Sequence, residues 1–194
     1  PLGVVACVAS LGPSVPRVVL QQVAGLEIVG VLGAMAATVK LGQLLATSVG
    51  QAWMPRMARL HRQGRQREFA RASVGLIGGA LGAGLLVAVL SGTLGSRLPE
   101  PLGAHADALA LLWLGGGWQY ANHLATGLLV ACDCLVAQVP VALGSVAVVA
   151  LLCLWWVPVH GLWGAAAATA LSAAVEGLAW LSLLGRASRR PAWA

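Results

Sequence analysis

Charge is what this sequence has least of: charged residues are 9% of its 194 positions, where a soluble domain carries roughly a quarter. So low a charge excludes a water-soluble enzyme. No Gly-rich phosphate loop, no His-Glu-x-x-His and no Ser, His and carboxylate set placed to cooperate is present, so no enzymatic chemistry is expected. Alternation of apolar and polar residues is also missing, which excludes a β-barrel. The four cysteines (Cys7, Cys132, Cys134, Cys153) all lie in or beside apolar stretches, and only Cys132-Asp133-Cys134 has a spacing a metal could use. With no histidine or second pair nearby, neither metal nor cofactor is expected. No basic leader with a small-residue cleavage site opens the chain, and Pro1 falls inside an apolar run, so the sequence reads as starting within a longer protein.

What is present is hydrophobicity, at 59% of residues and a mean hydropathy of +0.84. Lipid is then the expected solvent, and spans that satisfy their own backbone hydrogen bonds must be helices. The expected fold is all-α, a polytopic bundle of about six spans at 1–20, 27–54, 71–95, 105–131, 136–157 and 161–185, with a basic tail at 186–194. Pro13 and Pro16, Pro55, Pro99 and Pro101, Pro140, and Pro158 with Gly161 are read as the breakers. Six of the twelve basic residues (Arg56, Arg59, Arg62, Arg65, Arg67, Arg71) fall between the second and third segments, and Arg186, Arg189 and Arg190 follow the sixth. Both groups are expected in the cytoplasm, and an even number of crossings separates them, as the positive-inside rule requires. Trp155, Trp156 and Trp163 would belt the outer turn between the last two spans. Arginines without interleaved aromatics read as a topology signal, not a nucleic-acid patch.

Polar residues inside the segments point to a site. Lys40, Gln43, Thr47 and Gln51 are spaced +3, +4 and +4, one stripe of a helix whose other faces are Leu, Val and Ala. Lys40 lies about 13 residues, roughly 20 Å of rise, into its segment, where an ammonium needs a partner or a wet cavity. Gln119, Asn122, His123 and Thr126 repeat the arrangement two segments later. Two such stripes imply a shared polar cavity; helix-to-helix hydrogen bonding is the alternative for the uncharged members. Glu176 is a candidate ion-coupling carboxylate or counter-ion to Lys40, with snorkelling to the headgroups as its alternative. Arg17 and Glu27 flank the first connection, as a surface pair or as a rim for an anion. Gly75, Gly78, Gly79 and Gly82, and Gly161, Gly164, Ala165, Ala168 and Ser172, form small-residue stripes suited to close helix contacts.

Three stretches together resemble a known family. The run from Pro16 to Ala72, with its Gly30 to Ala37 start, its Pro55-Arg56-Met57-Ala58 exit and its RQGRQREF loop, is similar to the seventh and eighth spans of polysaccharide and oligosaccharide flippases of the multidrug/oligosaccharidyl-lipid/polysaccharide exporter superfamily. VPVHGLWGAAAATALS (Val157 to Ser172) resembles the Gly-x-x-Gly-Ala-Ala opening of the twelfth span. At LLVACDCLVAQVPVAL, Asp133 stands where the family usually has a basic residue.

The resemblance implies the C-terminal lobe of a two-lobed, alternating-access secondary transporter in the bacterial cytoplasmic membrane. Its substrate would be a polyprenyl-diphosphate-linked oligosaccharide moved for cell-surface polysaccharide or lipopolysaccharide assembly. Arg17 and Lys40 would be cavity cations for the diphosphate, joined by Gln43, Thr47, Gln51, Gln119, Asn122 and His123, with Arg56 and Arg59 at the cytoplasmic mouth. An N-terminal lobe, in the same chain or a partner, would be needed; nucleic acid would not. A cation-coupled multidrug exporter half and a non-transporting scaffold or truncated lobe are the alternatives.

Overall fold

The computed structural model describes residues 11–97, 99–100, 102–132 and 138–187. Among them every regular element is helical: α1 (Ser14–Arg62), α2 (Gln66–Thr93), α3 (Ala106–Ala131) and α4 (Gln138–Ala187), with short 3-10 turns at Gly95–Arg97 and Gly103–His105. Three of these, α1, α2 and α4, are long and apolar enough to cross a membrane. Segment residues 1–10, Asp133, Cys134 and the tail from 188, with Arg189 and Arg190, lie outside the described residues.

α1 and α4 contain 49 and 50 residues, and a straight helix of that length would measure about 75 Å, more than twice a bilayer core. Neither is straight. Each is interrupted at one glycine, Gly25 (φ 83°, ψ 177°) in α1 and Gly161 (φ 54°, ψ −126°) in α4. A Cβ added at either would meet nothing within 4 Å, so space is not the reason for glycine there; the backbone angles are. At Gly161 the chain folds back on itself: a Cβ at Gly164 would sit 2.5 Å from the Trp156 carbonyl oxygen, whereas eight residues along a continuous helix are about 12 Å apart. At Gly25 the redirection brings Pro13, Pro16 and Arg17 to the same cavity as Lys40 and Gln51.

Pro99 lies in the connection between α2 and α3, and the break expected at Pro158 with Gly161 is present at the glycine, but other prolines do not break the helices as their positions suggest. Pro16 and Pro140 each sit in a first helical turn, where a missing N–H removes no intrahelical bond. Pro55 and Pro158 lie inside α1 and α4, which continue through them. The arginine-rich stretch is a second correction. It is a helical hairpin, with Arg56, Arg59 and Arg62 on α1, Arg67 and Arg71 on α2, and only Gln63–Arg65 between. Gly64 at φ 68° ends α1: its N–H donates to the His61 carbonyl at 3.0 Å and that of Arg65 to the Leu60 carbonyl at 3.0 Å, a Schellman closure.

α3 is the hub, wrapped by the other three. Gly84 of α2 lies against the Gly117 backbone, and a Cβ at Gly115 would fall 2.7 Å from the Ala170 Cα of α4, so the helices approach backbone to backbone. The close contacts on α2 are therefore not made by the expected stripe, since Cβ atoms at Gly75, Gly78, Gly79 and Gly82 would meet nothing within 4 Å. Packing occupies two levels. Leu20, Met35, Leu109, Tyr120, Cys153 and Ala165 cluster at one, and Met57, Phe69, Leu128, Leu129, Trp180 and Leu184 at the other. Outward faces are apolar as well: Leu41, Leu44, Leu45, Leu86, Leu151 and Leu154 are each more than half exposed. So large an apolar exterior is unstable in water and suited to hydrocarbon.

Candidate functional site

Between α1, α3 and α4 lies a cavity of about 590 Å³, a volume in the range of small-ligand sites. Helical periodicity builds each wall. Lys40, Gln43, Thr47 and Gln51 supply the α1 wall, with Arg17 from before the Gly25 break; Gln119, Asn122, His123 and Thr126 supply the α3 wall. The α4 wall is Thr169, Ser172, Glu176 and Trp180, with Gln138 and Ser145 from the other arm. These first four repeat the +3, +4, +4 spacing of the α1 stripe, a signal that was present in the sequence and hidden by reading Ser172 as a packing residue only. Every substrate-binding candidate from the sequence thus faces one space. Arg56 and Arg59 do not line it; both are exposed on the last turns of α1, Arg56 with its guanidinium 4.9 Å over the Trp53 ring.

The walls are tied together by polar contacts of unequal kinds. Gln43 Nε2 meets His123 Nε2 across the cavity between α1 and α3. Below that contact, the Thr47 hydroxyl donates to the Gln43 carbonyl at 2.8 Å, leaving the Thr47 oxygen as an acceptor toward the cavity. Asn122 is 7% exposed and bonds helix to helix: its Nδ2 donates to the Ala173 carbonyl at 3.1 Å, and its buried Oδ1 has no partner among the described residues. That oxygen lies against Gly177, where a Cβ would come within 2.8 Å of it. Thr126 donates to the Asn122 carbonyl at 2.9 Å.

Sequence reasoning missed Tyr120. Buried at 4% exposure, it donates its hydroxyl to the Val39 carbonyl at 2.6 Å, and Gly42 and Gly116 make the room, since a Cβ at Gly42 would collide with the phenol ring. The bond fixes the rotation of α1 at the turn that carries Lys40 and Gln43. A lone buried tyrosine has no spacing signature, so only the helix crossing reveals its partner.

Charge in the cavity is unbalanced. Arg17 and Lys40 are both exposed to it, and among the described residues the one ion pair is Arg65 with Glu68, at the hairpin tip. Neither the Arg17–Glu27 pair nor the Glu176–Lys40 pair considered from the sequence forms. Glu176 instead turns into the cavity, half-buried, with its Oε1 accepting the Trp180 indole N–H at 3.1 Å. Two cations against one carboxylate, among amides and hydroxyls, form a surface that an anion with hydrogen-bonding substituents fits. Among the described residues no group of three His, Cys, Asp or Glu could hold a metal ion.

No family model and no solved structure matches the chain. Over 98 residues, half of the chain, it is 26% identical to the capsular polysaccharide biosynthesis protein CapF of Staphylococcus aureus. The chain matches a quarter of the length of that curated relative, and the likeness is compatible with a role in capsule or polysaccharide assembly.

Proposed function

We propose that this chain forms one lobe of a membrane transporter that carries a polyprenyl-diphosphate-linked oligosaccharide across the bilayer for surface-polysaccharide assembly. The observation that carries the reading is the cavity of α1, α3 and α4: polar stripes and two cations, Arg17 and Lys40, that form no ion pair and outnumber the one carboxylate, Glu176, in a lining otherwise largely apolar. A diphosphate cannot cross about 30 Å of hydrocarbon without such a wet, positive refuge, and no covalent step is required. The likeness to a capsular polysaccharide biosynthesis protein supports the substrate class. Split at Gly25 and Gly161, α1 and α4 each form two helical stretches beside α2 and α3, which supports a single helical lobe; the described part of the first stretch, Ser14 to Ala24, is shorter than a membrane span. The second lobe comes from elsewhere in the same protein or from a partner, and alternation between the two moves the substrate.

The test is flipping of a fluorescent polyprenyl-diphosphate oligosaccharide by the full-length protein in liposomes, compared with Lys40→Ala. Flipping by the native protein and its loss in the variant are expected; no flipping of the lipid-linked sugar by the native protein would sink the reading. Topology is tested separately: cysteines replacing Arg62 and Arg186 in a background lacking the native four should both resist impermeant thiol reagents on intact cells. One observation favours a second reading, a cation-coupled exporter, and that is the turn of Glu176 into the cavity. Under it, Glu176→Gln abolishes ion-driven drug efflux, while lipid-linked sugar is not moved.

A further inference from the structure

The arginine-rich hairpin joining α1 to α2 is a built surface. Met57, Leu60 and Phe69 turn inward and are buried against Leu129, Trp180 and Leu184, so its inner face belongs to the core. The His61 and Phe69 rings pack at a tilt of 54° with centroids 5.7 Å apart, and the Gly64 closure holds the turn. The outward face is left to arginine. On α1, Arg56, Arg59 and Arg62 are spaced by three, and on α2 Arg67 and Arg71 by four, which puts each set along one side of its helix.

Glu68 is the one acid in this stretch, and its Oε1 accepts from Arg65 Nε at 2.9 Å. The five other arginines are exposed and have no carboxylate within ion-pair distance among the described residues. Depth narrows what these arginines face. The apolar part of α1 ends near Met54, and the eight residues to Arg62 rise about 12 Å, while the headgroup layer of one leaflet is about 5–8 Å thick. Arg56 and Arg59 on α1, with Arg71 on α2, therefore fall at headgroup depth, and Trp53 beneath Arg56 occupies the boundary where indole rings settle.

We infer that this hairpin is a docking surface for anionic phospholipid headgroups of the leaflet it meets. It rests on the reading of α1 and α2 as membrane-crossing helices and not on the transport proposal. Guanidinium forks match phosphodiester oxygens two at a time, and a rigid helical hairpin presents them without the ordering loss a loop would suffer. The cavity cations are a separate set, so a substrate diphosphate held at Lys40 does not reach these arginines. Nucleic acid is disfavoured because Phe69 is buried in the core and Trp53 is covered by Arg56, so neither ring offers a free face for a base to stack on.

The experiment is native mass spectrometry of the full chain released from micelles holding equal amounts of phosphatidylglycerol and phosphatidylcholine. Retention of phosphatidylglycerol over phosphatidylcholine by at least about fivefold is expected, since several basic residues act together. The variant Arg56→Gln/Arg59→Gln/Arg71→Gln should fall to near parity, with its thermal midpoint in phosphatidylcholine alone unchanged. If that variant does not fold, Arg56→Gln/Arg71→Gln carries the same test and should lose more than half of the preference. Parity in the native protein, or full preference in the folded variants, would overturn the inference. So would displacement of the lipid by excess inorganic diphosphate, which would assign the patch to a soluble phosphate compound.

Discussion

The cavity and the hairpin tip hold the same kind of charge in opposite surroundings. Lys40 and Arg17 face a confined space walled by amides, hydroxyls and hydrocarbon, whereas Arg56, Arg59, Arg62, Arg67 and Arg71 stand on an open surface. The cavity presents two cations, so each carries a large share of what a bound anion meets; the tip presents five, and there water and salt screen each one so that only the group has a large effect. One substitution should therefore matter in the cavity, and several should be needed at the tip.

The sharpest way to break this contrast is to remove one charge from each place. Lys40→Ala in the full-length protein should lower transport of a polyprenyl-diphosphate sugar by about ten- to a hundredfold, the worth of a charge-assisted hydrogen bond. Lys40→Arg should retain part of the rate, and Arg62→Ala should change it less than about twofold, within the small effect of a single exposed charge. Equal losses at positions 40 and 62 would erase the distinction.

A second comparison uses the two glycines that shape these regions. Gly161→Ala forces an alanine into φ 54°, ψ −126° and should destabilise the protein by about 1–3 kcal/mol, read as a lower midpoint of thermal unfolding in detergent. Gly64→Ala at the tip, φ 68°, should cost about 1 kcal/mol, and Gly64→Asn much less, because asparagine tolerates the left-handed region at a helix end. If Gly161→Ala is silent, the fold-back does not depend on that backbone conformation.

Tyr120 sharpens the cavity side. Tyr120→Phe keeps the ring and removes the donor to the Val39 carbonyl, at a cost of about 1 kcal/mol in stability. If the phenol acts by aiming Lys40, the substitution should reduce transport in the native background and add nothing to Lys40→Ala. Independent, additive losses would reduce Tyr120 to packing. The smallest effect is reserved for the tip: Arg59→Gln should shift stability by no more than about 0.5 kcal/mol and leave transport unaltered.

Much of the cavity was legible in the sequence because a polar stripe is a local property. Residues 40, 43, 47 and 51 share a side of any helix that contains them, whatever surrounds it, and the same holds for 119, 122 and 126. Thr169 and Ser172 share this periodicity with the candidate Glu176, and were passed over because small residues on an alanine-rich helix also read as packing. Pro16 and Pro140 misled for a related reason: proline forbids a hydrogen bond only beyond the first turn, and its distance from a helix start is not visible until the start is known.

Hydropathy and helical period, both carried by the order of residues along one helix, determined by themselves that this chain is helical, apolar outside and furnished with polar stripes. Only the tertiary structure decided that Gly25 redirects α1, that Gly84 and Gly115 are used for backbone-to-backbone approach, and that Lys40 forms no ion pair. It also decided that Asn122 bonds to Ala173 while Glu176 faces the cavity. These outcomes depend on which faces meet when helices distant in sequence cross, and the crossing is set by backbone approach and side-chain volume summed over all of them, which no single helix encodes.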